Sequence, residues 1–508
     1  MTTTSDQSIE AATGRVRAAV AHTSPADVQA ILGTARQAFG ALSRTDATTR
    51  RTWIDAAATL LLERSDELVA IAAAETGLGL PRLQGELVKA CANSRFYADV
   101  AVNGSYLAAS SDSLGTGGTL VRWNRPIGTV AVFGASNFPF GFGVFGHDVA
   151  SALAAGCPVI VKAHPAHPQL STLIAAIVAE ALDAAGAPRG TFSLVVGFDA
   201  GLALVDSDVV RAVAFTGSQQ GGMALVQRAA PRGIPVFAEM GTVNPVVVTP
   251  SATARRDEIV REFVDSFTLG AGQFCTKPGL IFVPAGQGFA SAITDEVAGR
   301  AGAVLLTAGI AERFAAGVAE LTAASGLPQP QRPTQTDPAR ASFITPADRE
   351  SGAADTSRLM APHSIVVALD SLREGSRLLE ECFGPVALIA EYDSLDEALA
   401  TVVRLQPSLT GSLITGGITD PDADTVIDVL LDRSGRVTVD SWPTGVATAW
   451  SQQHGGPWPA TSRPDASSVG AAALNRFVRP VSLSYAQGGA APRALQAAAV
   501  ISPLPPVQ

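Results

Sequence analysis

The chain is short of cysteine, of aromatic residues and of charge. Its four cysteines, Cys91, Cys157, Cys275 and Cys382, lie far apart and form no CxxC pair. That spacing argues against a zinc ribbon or a disulfide framework, gives no support to a metal site, and points to a reducing compartment. Only 16% of the 508 residues are charged, and the net charge is −10. An acidic protein does not suit nucleic acid or an anionic membrane, although local cations and helix N-termini can still hold a small anion. The opening "MTTTSDQSIE" has no basic stretch followed by an apolar core, so the expected location is cytoplasmic. The uncharged run Pro126 to Gly146 is interrupted by Asn137, Pro139 and glycines, and reads as strand, turn and buried helix instead of a membrane span. Finally, no strand-like run is followed by GxGxxG, so the standard dinucleotide fingerprint is missing.

What is present is apolar bulk. Hydrophobic residues make up 47% of a chain too long for one ordinary core, so two or three domains are expected. The first hundred residues read as helices, with Ser24 or Asp27 as cap and Gly77 as stop. A hairpin is expected from about Ser110 to Pro126. Beyond it, "GTVAVFG", "PVIVKA", "FSLVVG" and "VRAVAFTGS" alternate with helical stretches, the rhythm of βαβ units and a parallel sheet. A second α/β block carries "NPVVVTP", "GLIFVP", "HSIVVAL" and "GPVALIAEY". Ser325 to Arg340 is rich in proline and glutamine and reads as an exposed connection. The tail "GAAALNRFVRPVSLSYA" has strand-like alternation and could pair with the hairpin.

Several residues are candidates for chemistry, each with an ordinary alternative. Cys275 in "GQFCTKPG" is either a small buried hydrophobe or a nucleophile, and the second role needs a base and an oxyanion donor. Glu239, at the end of "IPVFAE", is either an ion-pair partner or a base for water or thiol. Asn137 in "GASNFPF" follows a strand, where its amide can form an Asx-turn or donate to an oxyanion. Lys162 ends another strand, as a snorkelling charge or a hook for ribose or phosphate. Gly217 and Ser218 in "FTGSQQGG" stand before a helix, where backbone amides favour a pyrophosphate.

The motifs "GASNFPF", "VKAHPAHP", "FTGS", "EMGTVNP", "GQFCTKPG" and "ECFGPV" occur in that order between residues 134 and 386. In this the chain closely resembles the aldehyde dehydrogenase superfamily over nearly its full length. Within it, the ending "SWPTGVATAWSQQHGGPWPATSRPDASSVG" resembles the branch of 2,5-dioxovalerate (alpha-ketoglutaric semialdehyde) and NADP-dependent fatty-aldehyde dehydrogenases.

The resemblance implies an α/β fold with three parts. Residues 1–107 and 127–240 would form a Rossmann-like cofactor domain, and residues 241–455 an α/β catalytic domain. Residues 108–126 and 470–490 would form a small β oligomerisation element, in a homodimer or homotetramer. It implies Cys275 as nucleophile, Asn137 as oxyanion donor and Glu239 as the base that hydrolyses a thioester, with His454 assisting proton transfer. Lys162, Gly217, Ser218, Glu381 and Phe383 would hold the cofactor. Family members that prefer NAD usually carry a glutamate three positions after the lysine; here Pro165 stands there, so NADP is expected with NAD tolerated. Phe138, Phe142 and Phe145 would line the aldehyde tunnel. The branch usually has small residues where Phe145 and His147 stand, and Asn-Gly where Asp440 and Ser441 stand. The aromatic, cation-free wall suits a fatty or aromatic aldehyde, whereas the branch suits 2,5-dioxovalerate, whose carboxylate a residue such as Arg463 could hold. A nucleotide-independent thiol hydrolase using Cys275 and His454 is a more remote reading, and it leaves Lys162, Gly217 and Glu381 without a purpose.

Overall fold

The computed structural model describes residues 4–114, 117–329 and 355–486. The first described element is not a helix. It belongs to an antiparallel hairpin, β1 (Ser5–Ile9) and β2 (Val16–Ala21), built from small and polar residues without an apolar alternation. Helices then cover Pro25–Leu42, Ala47–Glu63, Ser65–Thr76 and Leu80–Asn103. Ser24 caps the first of these by accepting from the Asp27 N–H, and Gly77, left-handed at φ 70°, ends the third. The expected hairpin is β3 (Ser110–Ser113) with β4 (Thr119–Pro126).

Five parallel strands follow: β5 (Thr129–Phe133), β6 (Val159–Lys162), β7 (Phe192–Val195), β8 (Val210–Gly217) and β9 (Val236–Met240). Their spatial order is β7-β6-β5-β8-β9, so the order reverses at β5. Successive side chains of a strand point to opposite faces. Accordingly Val130, Val132, Val159 and Val161 pack in one core, and Ala131, Ile160 and Val213 in another on the opposite face. Sheets buried on both sides require such continuous apolar runs.

A second parallel sheet contains β10 (Pro245–Val248), β11 (Leu280–Pro284), β14 (His363–Val367), β15 (Val386–Tyr392), β16 (Ser408–Ile414) and β17 (Ser434–Val439), in the order β14-β15-β11-β10-β16-β17. Short β12 (Ala303–Val304) and β13 (Leu359–Met360) pair beside it. Val247, Leu280 and Phe282 face one core, and Val246, Ile281 and Val283 the other. Of the stretch expected to be an exposed connection, residues 330–340 lie outside the described residues. At its start Gly326, Leu327 and Pro328 are exposed as expected, while Ser325 is buried and the Gln329 amide both donates to and accepts from Val366 on the edge strand β14.

The last strand, β18 (Val478–Tyr485), pairs antiparallel with β4 to complete a three-stranded sheet, as the alternation of the tail suggested. Just before it, Arg476 donates to Asp148 at 2.7 Å, both side chains being at most 5% exposed. This bond ties the C-terminal segment to the helix His147–Ala155. Breaking one side of a buried pair leaves an uncompensated charge, worth about 3–5 kcal/mol. Asp148→Ala should therefore lower the denaturation midpoint in urea markedly, with a loss of that size by equilibrium unfolding.

Candidate active site

In a parallel sheet the backbone delivers loops at the carboxyl ends of the strands, and ligands bind where the strand order reverses. Phe133 to Asn137 leave β5, Lys162 ends β6, Gly217 ends β8 and Glu239 stands near the end of β9. Facing them are the loops entering the second sheet: Gly241 to Asn244 before β10, Cys275 to Gly279 before β11, and Glu381 to Gly384 before β15. Between the two sets lies a cavity of about 940 Å³, lined by Asn137, Lys162, Pro165, Gly217, Ser218, Glu239, Cys275, Glu381 and Phe383 among others. Eight of the expected site residues thus share one cleft.

The walls suit a dinucleotide. Ser218 caps the helix Gln219–Ala229 by accepting from the Gly221 N–H, so the positive end of that helix opens on the cavity. Lys162 makes no ion pair among the described residues, and burial lowers its pKa. Glu381 lies so close to Gly241 that a Cβ there would meet its carboxylate at 1.8 Å, so any larger residue would displace that carboxylate. Burial pushes the Glu381 carboxyl up to about 7, against the pull of the nearby Lys277.

At the inner end, the Cys275 sulfur is 3.7 Å from His454 Nε2, which is 2.8 Å from Glu239 Oε1. The other oxygen of Glu239 accepts from the Ser468 hydroxyl at 2.5 Å. His454 and Ser468 arrive because residues 460–462 run antiparallel along β9: the Met240 N–H donates to Ala460 O, and the Ser462 N–H to Ala238 O. Burial would raise the Glu239 pKa, but the His454 ring, the Ser468 hydroxyl and the Cys275 thiol together hold it below the usual carboxylate value. Cys275 is shifted the other way, well up, first by burial and then by the Glu239 charge. The resting site is therefore a neutral thiol beside an ionised carboxylate, an arrangement that can move a proton from sulfur to oxygen. The three ligand atoms of Glu239, Cys275 and His454 lie within 4.8 Å of one another, a proximity that sequence spacing did not reveal.

Asn137 lines the same cavity as Cys275. One N–H of its amide donates to Gln273 O at 2.7 Å, leaving the second for another acceptor. The Cys275 carbonyl is held by the Asn244 amide, which also bonds Lys277 O and Thr242 O. Lys277 is buried and donates to Cys382 O, Gly384 O and Val386 O, each at 2.9 Å, linking the Cys275 loop to the Glu381 loop.

Two expectations need correction. Phe138 and Phe142 pack edge to face with ring centres 6.1 Å apart, and Phe274 joins them 5.0 Å from Phe138, but none of the three rings is among the residues lining the cavity. Phe145, in contrast, is 4% exposed and packs into the core with Val144 and Phe140. Arg463 is not a spare cation: its guanidinium pairs with Asp465 at 2.7 Å and covers the Phe237 ring. His147 is fixed by Tyr97 OH at 2.6 Å, and burial drives its pKa down to about 3, so it is neutral against the Phe142 ring.

A model of the aldehyde dehydrogenase family matches residues 2–458. The chain belongs to the aldehyde dehydrogenase family. It is similar to Alpha-ketoglutaric semialdehyde dehydrogenase 2 of Azospirillum brasilense, 40% identical over 90% of this chain and 86% of the relative. It is also similar to the alpha-ketoglutaric semialdehyde dehydrogenase of Acinetobacter baylyi, 35% identical over 88% of this chain and 84% of that one. A solved NAD-dependent aldehyde dehydrogenase from Sinorhizobium meliloti shares the fold, with a TM-score of 0.78 at 23% identity over 96% of this chain and 92% of its own. The chain is thus an NAD(P)-dependent aldehyde dehydrogenase. No helix among the described residues is long and apolar enough to cross a membrane.

The electrostatics of the thiol can be tested directly. Alkylation of Cys275 by iodoacetamide should keep accelerating above pH 9.0, the ordinary thiol value from which the site shifts it upward. Glu239→Gln removes the carboxylate charge, so the rise should move to lower pH. A plateau near neutrality in the unmutated enzyme would mean a preformed thiolate and contradict this description.

Proposed function

We propose that the enzyme oxidises 2,5-dioxovalerate to 2-oxoglutarate, with NADP preferred over NAD. The observation that carries the chemistry is the Cys275–His454–Glu239 contact at the inner end of the cleft. The substrate assignment is supported by the two semialdehyde dehydrogenases at 40% and 35% identity. In this reading residues 1–107 and 127–240 hold the cofactor and residues 241–455 carry the catalytic loop. The sheet of β3, β4 and β18 serves assembly into a homodimer or homotetramer in the cytoplasm.

Lys162, Gly217 and Ser218 would hold the adenosine ribose and pyrophosphate, and Glu381 and Phe383 the nicotinamide ribose. When bound, the nicotinamide supplies the acceptor for the hydride that leaves the aldehyde carbon. The protein does the rest. The Cys275 sulfur bonds to the aldehyde carbon while its proton passes to Glu239, with His454 Nε2 in reach of both groups. The second N–H of Asn137 and the backbone N–H of Cys275 stabilise the oxyanion of the thiohemiacetal, a contribution of roughly 100- to 1,000-fold per donor in comparable sites. Loss of hydride leaves a thioester on Cys275. Glu239 gives up the thiol proton to solvent and, ionised again, takes a proton from water as the water oxygen attacks. The C–S bond breaks, that proton passes from Glu239 to the Cys275 sulfur, and the acid departs.

For the cofactor, Pro165 lines the cleft beside Lys162, so no carboxylate stands there to repel a 2′-phosphate. A second substrate reading, an apolar fatty or aromatic aldehyde, is favoured by the aromatic cluster of Phe138, Phe142 and Phe274.

The test is a panel of 2,5-dioxovalerate, short and long aliphatic and aromatic aldehydes, each with NAD and NADP, following nicotinamide reduction. The highest kcat/KM should belong to 2,5-dioxovalerate with NADP, and Cys275→Ala should abolish turnover. Pro165→Glu should shift the cofactor ratio toward NAD by about tenfold or more, a change of about 1.4 kcal/mol; an unchanged ratio contradicts the cofactor reading. Glu381 gives a separate readout, because its ionised form accepts more strongly from a ribose hydroxyl and burial pushes its pKa up to about 7. Cofactor affinity, measured by protein fluorescence, should rise with pH through that value. Glu381→Gln should remove this pH dependence.

A further inference from the structure

Asn137 sits on a segment without regular structure, between the end of β5 and the helix His147–Ala155. An oxyanion donor works only when its N–H is aimed within a few tenths of an ångström, and a misplacement of about 1 Å can cost about 100-fold in rate. Something must therefore hold this loop. The contacts come from the helix Leu80–Asn103, which none of the motifs singled out. Glu86 Oε1 accepts from the N–H groups of Phe140 at 2.9 Å and Gly141 at 3.0 Å. One turn earlier on the same helix face, Arg82 Nη2 donates to the backbone carbonyl of Asn137 at 2.8 Å.

Arg82 also reaches the nucleophile's loop. Its guanidinium carbon lies 5.3 Å from the ring centres of both Phe138 and Phe274. These are the residue after Asn137 and the residue before Cys275. The two rings meet edge to face at 5.0 Å, so cation and rings form one packed unit. Gly270, at the base of the Cys275 loop, is needed for this packing: a Cβ there would meet the guanidinium at 2.7 Å and the Phe274 ring at 2.5 Å. Arg82 and Glu86 are not within ion-pair distance of each other in the structure, yet each is the other's principal counter-charge. Arg82 Nη1 and Glu86 Oε2 are buried without partners. A helix stability role alone does not require a cation and an anion to be spent on one loop's backbone.

We propose that Arg82 and Glu86 are positioning residues for the oxyanion site, setting the distance between the Asn137 amide and the Cys275 sulfur. The proposal rests on Asn137 being the oxyanion donor. Neither residue touches substrate or cofactor in this role. Each acts through Asn137, and the cost of removing either disappears once Asn137 can no longer donate.

A double-mutant cycle tests it, using Arg82→Met, Glu86→Ala and Asn137→Ala in the full-length enzyme with its best aldehyde. Arg82→Met and Glu86→Ala should each lower kcat about 10- to 100-fold. Cofactor affinity measured by fluorescence should change by less than about twofold, since neither residue lines the cofactor cleft. In the Asn137→Ala background the same substitutions should lower kcat by less than about threefold. Glu86→Gln, which keeps an acceptor for the two N–H groups, should recover most of the activity, and it serves as the folded control if Arg82→Met does not express. Equal losses in both backgrounds would overturn the proposal, as would a parallel collapse of cofactor affinity. If Asn137→Ala itself leaves kcat unchanged, the oxyanion reading fails instead, and the two failures are told apart by that single variant.

Discussion

A carboxylate buried where water hardly reaches must be paired or lose its charge, and Glu239 is such a group. Keeping it ionised organises much of what surrounds it. Residues 460–462 lie along β9 as an added strand, and that pairing carries His454 to one carboxylate oxygen and Ser468 to the other. Arg476 in turn donates weakly to the Ser468 carbonyl at 3.4 Å while its main bond goes to Asp148. The charge that the chemistry needs is thus stabilised by a chain of contacts ending on the helix behind the Asn137 loop.

The same logic explains the opposed shifts of Cys275 and Glu239. One site cannot comfortably hold two adjacent negative charges, so the carboxylate keeps its charge and the thiol keeps its proton. A thiol that keeps its proton is a weak nucleophile, so Cys275 reacts slowly with oxidants and alkylating agents. Proton transfer between them exchanges the charge at short range, which a dry site makes cheap because little solvent has to reorganise.

Much of this was legible from residue order, for a physical reason. Parallel strands end in loops that must carry the chemistry, so Asn137, Lys162, Gly217 and Glu239 each follow or end an apolar run that announces itself. The remainder depends on contacts between distant segments. Arg82 and Glu86 are four apart on a helix and look like an ordinary surface pair; Ser468 is one of several serines in a loop. Aromatics three apart in a loop, such as Phe142 and Phe145, give no hint of direction in the sequence, and Phe145 turns inward to the core. The β1–β2 hairpin is not legible in the sequence, because "SDQSI" has no apolar alternation to reveal a strand. The six-motif order identified the family, whereas the packing that aims its residues had to be seen.

One consequence concerns the order of synthesis. The thiol comes from residue 275 and its carboxylate from residue 239, yet the groups that keep that carboxylate charged come from residues 454 and 468. A nascent chain leaving the ribosome has both parallel sheets in hand before those two partners emerge. Until then Glu239 lacks the His454 and Ser468 contacts that hold its pKa below the usual carboxylate value. The last tenth of the polypeptide therefore completes the site: a chain stopped short of it would have both sheets but neither of the two groups that bond the Glu239 carboxylate.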